Sequence, residues 1–137
     1  MSAALSPTAK VFDALAGVPV VERTAAGARV TVRVPVDRAR AQMTGHYPGF
    51  PIFPGVLLVD CVRQAAGHAV GEELWLAGIE RARFARPLFP GDVLELSLLV
   101  SRGEDGVVAV RARGLRADGE LAADVSVTLR GAVSGAA

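Results

Sequence analysis

The segment GVLLVDCVRQAAGHAV, residues 55–70, most constrains what this chain can fold into. It holds no proline and is apolar on almost every side. That pattern describes a helix buried by its surroundings, not one lying on a surface. Pro54 stands where the first turn begins, a position proline tolerates because an N–H there has no intrahelical partner. Whatever fold forms must wrap this helix.

The material available to wrap it is β. Two strand-like runs precede the helix, Val20–Thr24 and Arg29–Val36, joined by AAGA. In the second, Val30, Val32, Val34 and Val36 alternate with Thr31, Arg33 and Pro35, which is the period of a half-buried strand. After the helix, LWLAGIERARF leads to the turn RPLFPGD, and Leu94, Leu96, Leu98 and Val100 then alternate with Glu95, Ser97 and Leu99. RGEDG and ADGE mark hairpin turns on either side of VVAVRARGLR. A last alternating run holds Leu121, Ala123, Val125, Val127 and Leu129.

A short helix is expected at the N-terminus in SPTAKVFDALAGVP, capped by Ser6 or Thr8 and stopped at Gly17-Val18-Pro19. Residues 131–137 read as a frayed tail. There is no internal repeat and no boundary, so residues 1–137 are expected to form a single α+β domain, an antiparallel sheet wrapped around one long central helix.

Composition excludes several classes. With 137 residues, 51% of them apolar, the chain is long enough for one core and too hydrophobic for disorder. A formal net charge of +1 gives no global pull on nucleic acid. The single cysteine, Cys61, has no internal disulfide partner and fits a reducing compartment. No signal peptide is expected from the opening residues, and no apolar run of these residues is long enough to span a bilayer. A cytoplasmic protein with no nucleic-acid or membrane partner is expected.

Residues 37–54 make a long connection, and connections of that length are often functional. In GHYPGFPIFPG, Pro48, Pro51 and Pro54 fix the path while Gly45, Gly49 and Gly55 allow unusual dihedrals and close approach. A rigid loop aims a side chain, and the one available is His46, which accepts and returns a proton near neutrality. Asp60 is the only acidic residue between His46 and Arg63. On a buried helix its carboxylate is costly unless paired or protonated. Gln64, four residues on, shares its helix face and is placed to hydrogen-bond it. At Gly55–Val56 the helix offers free N–H groups and the positive end of its dipole, which polarise a carbonyl oxygen where negative charge develops. Taken residue by residue, His46 stays open between a structural and a catalytic role. Asp60 stays open between a core acid, a dimer-interface residue and a catalytic acid. His68, Cys61, Trp75 and Tyr47 read as structural or packing residues.

The segment GHYPGFPIFPGVLLVDCVRQAAG, residues 45–67, resembles the signature of the β-hydroxyacyl-acyl carrier protein dehydratases, the FabZ/FabA group with the hotdog fold. Their pattern is close to G-H-F-P-G-x-P-x-x-P-G-V-L, then an acid, then a glutamine four residues later. FARPLFPGDVLELSLLV resembles the next recognisable segment, a P-G-D turn into a long strand. The resemblance implies that His46 is the catalytic base and Asp60 the catalytic acid. It implies that the N–H of Gly55, with Val56 beside it, holds the thioester carbonyl, and that Gln64 supports the acid. It further implies a homodimer or dimer-based oligomer whose site takes the histidine and the acid from different subunits. The substrate would be a (3R)-3-hydroxyacyl chain on the phosphopantetheine arm of an acyl carrier protein, dehydrated to a trans-2-enoyl thioester with no metal or redox cofactor. Two letters depart from the pattern. The acid is Asp, as in the FabA branch, although the loop resembles FabZ, and Arg63 stands where the group usually has a small or apolar residue.

Two alternatives remain. A hotdog acyl thioesterase would use a helix acid to activate water and has no need of the His46 loop. A non-catalytic acyl-binding module would only pack His46 and Asp60. Carrier proteins are typically acidic, so a docking surface is expected on arginines. ERARFARP supplies Arg81, Arg83 and Arg86, and Arg38 and Arg40 lie before His46; the same arginines read equally as a solvated face that keeps the protein soluble. Period-two spacing puts Arg81 and Arg83 on one strand face.

Overall fold

The computed structural model describes residues 18–39 and 55–131. The expected N-terminal helix, the His46 loop with Tyr47, and residues 132–137 lie outside these. Six strands make one antiparallel sheet: β1 (Val20–Arg23), β2 (Gly27–Pro35), β3 (Leu74–Phe84), β4 (Val93–Arg102), β5 (Val107–Leu115) and β6 (Leu121–Gly131). Their spatial order is β1-β2-β4-β5-β6-β3. One helix, α1 (Gly55–Val70), packs against β2, β3, β4 and β5. Short 3-10 turns occupy Val36–Ala39 and Glu104–Gly106. This is the hotdog arrangement: chain leaving β2 crosses through α1 and returns as β3 on the far edge, paired with β6.

The strands follow the alternation. Val30, Val34, Leu94, Leu96 and Leu98 are fully buried, and Val32, Val100, Val108 and Val110 nearly so. Each such side chain contributes about 1.5–3 kcal/mol relative to exposure. Boundaries shift where backbone bonding overrides the pattern. β2 begins at Gly27 instead of Arg29, because Gly27 closes a tight turn with Thr24 through two backbone hydrogen bonds of 3.1 and 3.3 Å. It ends at Pro35, since Val36 turns into the 3-10 segment while its N–H donates to the Asp92 carbonyl at 3.0 Å. Gly131, expected in the tail, is the buried last residue of β6.

The C-terminus of α1 is set by Gly71, whose φ of 85° is the left-handed conformation that ends helices without a Cβ penalty. Its N–H donates to the Gly67 carbonyl at 2.8 Å, and Arg23 Nη1 donates to the Ala69 carbonyl at 2.7 Å. A cation there complements the negative end of the dipole.

The helix is not buried on every side by the described residues. Its core stripe is Leu58, Val59, Cys61, Val62, Ala65, Ala66 and Ala69. Val56 is 70% exposed, His68 is exposed, and Asp60, Arg63 and Gln64 are half-buried on the flank between. β3 departs further from expectation. After Leu74 nearly every residue is exposed, register shifts interrupt its pairing with β6, and Trp75 is 54% exposed within its own chain.

Candidate active site

The half-buried flank of α1 holds the polar side chains of the candidate site. Asp60 lies five positions after Gly55, roughly 7.5 Å down the axis from the helix N-terminus at 1.5 Å per residue. Residues three and four apart share a helix face, so Arg63 and Gln64 both reach it. Arg63 Nε donates to Asp60 Oδ1 at 2.8 Å and Gln64 Nε2 donates to Oδ2 at 2.7 Å. Arg63 Nη1 also donates to the Leu74 carbonyl, at 3.0 Å, where β3 begins. The Asp60 and Arg63 side chains are 30% and 17% exposed. The carboxylate therefore has both oxygens held while its edge still meets solvent. The hydrogen bond expected from Gln64 is present. Arg63, which departs from the group's small or apolar residue at this place, spans a carboxylate and a backbone carbonyl.

At the top of the helix, Gly55 is half-buried beneath the ring of Phe84. A Cβ built on Gly55 would lie 2.9 Å from Cζ of Phe84 and 3.0 Å from Cε2. The last residue of β3 thus covers the start of α1, and only a glycine leaves room for the ring as it stands. No acidic side chain sits in the first turn of α1, so no carboxylate there competes for the N–H groups of the Gly55–Val56 end.

Cys61, next to Asp60 in sequence, is no nucleophile. Burial pushes its thiol up to about 12, with the neighbouring Asp60 charge adding to the effect and a backbone hydrogen bond opposing it. At neutral pH it is a small core side chain, as the sequence reading expected.

The structure brings Gly55, Val56, Asp60 and Gln64 onto one helix and adds Arg63 and Phe84, two residues the sequence reading did not assign to the site. The signal for Arg63 was its departure from an apolar run. Phe84 had no comparable signal, since its contact joins residues far apart in the chain. His46 lies outside the described residues. Arg81 and Arg83 fall on the outer sheet face opposite Ser126 and Asp124. Arg81 meets Asp124 at 3.8 Å and Arg86 meets Glu120 at 3.2 Å, with both arginines more than half exposed. Arg83 and Arg86 stand close to Phe84 in the chain, with Arg83 on the sheet face opposite to the one Phe84 presents to the helix.

The family model described as ApeI dehydratase matches residues 22–121. The 3-hydroxyacyl-[acyl-carrier-protein] dehydratase FabZ of Cereibacter sphaeroides is 45% identical over 92 residues, which cover 61% of this chain and 59% of that protein. FabZ of Thermus thermophilus is 44% identical over 94 residues, covering 61% of this chain and 64% of its own length. The chain thus spans about three fifths of the curated relatives it matches. Among solved structures, an uncharacterized protein of Erwinia carotovora aligns with a TM-score of 0.67 and 24% identity, covering 85% of this chain and 97% of that one. The dehydratase heterocomplex ApeI:P of Xenorhabdus doucetiae aligns with a TM-score of 0.59 and 23% identity, covering 83% and 99%. At that identity the two structures support the fold.

Proposed function

The chain belongs to the ApeI-like dehydratase family, and from that premise we propose that it eliminates water from a (3R)-3-hydroxyacyl thioester to give a trans-2-enoyl thioester. The observation that carries this reading is the Asp60 carboxylate, held by Arg63 and Gln64 on the helix whose N-terminus lies under Phe84. A thioester carbonyl seated against the N–H groups of Gly55 and Val56 receives hydrogen bonds and the positive end of the α1 dipole. Negative charge that builds on its oxygen as the C2 proton leaves is stabilised there. His46 is the base for that proton. The C3 hydroxyl leaves as water by taking up the proton that His46 removed from C2, and Asp60 assists its departure by holding the hydroxyl in place, which completes the double bond. The thioester and the N–H groups supply the charge stabilisation, so the step needs no metal or redox cofactor.

The acyl chain is presented on the phosphopantetheine arm of an acyl carrier protein, in fatty-acid or polyketide/polyene synthesis in the cytoplasm. Among the described residues no helix is long and apolar enough to cross a membrane. The working unit is a homodimer. In support, β3 is an edge strand with Leu76 and Ile79 exposed on its helix-side face and Trp75 exposed on the other, apolar surface and an unpaired edge suited to a second copy. His46 of one subunit then serves Asp60 of the other. Incubation with a 3-hydroxyacyl thioester should produce enoyl absorbance without free thiol, and His46→Ala should lower turnover by about 10²–10⁴-fold while leaving the fold. Thiol release, or near-normal turnover by folded His46→Ala, would reject the assignment.

A further inference from the structure

We infer that Arg63 is a positioning residue that fixes the Asp60 carboxylate relative to the edge strand β3. The inference rests on Asp60 being the site's working carboxylate. Gln64 also holds that carboxylate, at Oδ2. That bond joins two residues of one helix.

Arg63 makes a different kind of link. Nε and Nη1 are two donors of one planar group, and they go to two different elements. Nε reaches Asp60 Oδ1 at 2.8 Å and Nη1 reaches the carbonyl of Leu74 at 3.0 Å. Leu74 is fully buried at the first position of β3, so its carbonyl is a firm anchor. The rigid guanidinium transmits that anchor to the carboxylate oxygen.

The function of such a link follows from where β3 lies. It is the sheet edge on which the second copy is expected, and that copy supplies the base. The acid must therefore be registered to the edge strand, not merely to its own helix. Misplacement by about 1 Å in a reacting group can cost on the order of 10²-fold in rate.

A plain ion pair makes a contrary prediction. If Arg63 only neutralises Asp60, a lysine would serve, because an ammonium supplies the same charge. If Arg63 is a strut, lysine fails, because a point-like ammonium does not hold two acceptors in one plane.

The test uses the intact protein and a 3-hydroxyacyl thioester, with kcat, KM and Tm measured for Arg63→Lys, Arg63→Gln, Asp60→Asn and the Asp60→Asn/Arg63→Gln double variant. Arg63→Lys should lower kcat by about 10–100-fold with KM within about twofold. Because Arg63 acts through Asp60, adding Arg63→Gln to Asp60→Asn should lower kcat by less than about twofold further. Wild-type kcat in Arg63→Lys overturns the inference and leaves the dehydratase reading standing. So does a double variant that loses the full effect of both single changes. Should Arg63→Gln fail to fold, Arg63→Lys alone decides, since it keeps the charge beside Asp60. An active Asp60→Asn would overturn both readings at once.

Discussion

The ring of Phe84 rests on Gly55, so close that a Cβ built on the glycine would lie 2.9 Å from Cζ. End of strand and start of helix are thereby packed at one point. The atom in the way is the tip of a side chain that is 49% exposed. Gly55→Ala should therefore displace the ring at little cost to the fold, with a change in Tm of a few degrees at most. Turnover should fall much more, because the displaced ring no longer borders the N–H groups proposed to receive the thioester carbonyl. Thermal unfolding and steady-state kinetics on the same preparation check this. A variant with normal kcat would show that the ring's place does not matter to the reaction.

A site shared across a two-fold makes a prediction about mixtures. His46→Ala and Asp60→Asn subunits are each expected to be nearly inactive alone. In a mixed dimer one site combines both defects and the other retains both groups. Exchange of the two inactive proteins should restore a measurable fraction of activity. No recovery, with exchange shown by native mass spectrometry, would reject the shared site.

The strand that should make that dimer is β3. Ile79 is 50% exposed on it, so Ile79→Arg removes little burial within one chain. A charge placed on apolar surface between two copies is strongly opposed. Sedimentation should show a shift to monomer, with activity lost in parallel and the Tm of the monomer governed by its own core. A dimer that survives Ile79→Arg would move the interface elsewhere.

How much of this was legible before the structure depends on what each feature rests on. Leu94, Leu96 and Leu98 could be read as a buried strand face because side-chain alternation is a local property of the backbone. Asp60 and Gln64 could be paired because helix periodicity fixes which residues share a face. The partner of Arg63 was not legible, since its second bond goes to a carbonyl eleven residues away on another element. Trp75 does not pack within its own chain for a related reason: β3 sits on the edge of the sheet, and sheet order is not written in any local pattern. The contact of Phe84 with Gly55 is a tertiary contact of the same kind.

Cys61 gives a pH prediction with a definite sign. Its thiol is pushed up from 9.0 to about 12, mainly by burial. Below pH 9 the thiol is protonated in both folded and unfolded chains and adds no pH dependence. Above that, the unfolded chain releases the proton while the folded one keeps it, so the unfolded state gains and stability falls as pH rises toward 12. Cys61→Ala should lower Tm somewhat at neutral pH and flatten its decline between pH 9 and 11. Alkylation by iodoacetamide at pH 8 should be slow in the native protein and fast after denaturation. Rapid native alkylation would contradict the burial.

The last prediction concerns the carrier. Three arginines were assigned to docking, and the structure distinguishes them. Arg81 and Arg86 each meet a carboxylate, Asp124 at 3.8 Å and Glu120 at 3.2 Å. Arg83 makes no ion pair among the described residues, so its charge is the most available to a partner. Exposed ion pairs are worth about 0–1 kcal/mol, so an acidic carrier can draw Arg86 from Glu120 at small cost. All three are near Phe84 in sequence, and Phe84 borders the helix end that is expected to receive the thioester. Charge reversal at Arg83 and Arg86 should raise KM for a carrier-bound substrate by roughly tenfold at low salt and by much less at high salt. A short pantetheine-analogue substrate never reaches this surface and should be turned over normally. Equal losses on both substrates would mean that the fold or the acyl site had been damaged, and a carrier KM that ignores both the reversal and the salt would remove these arginines from docking.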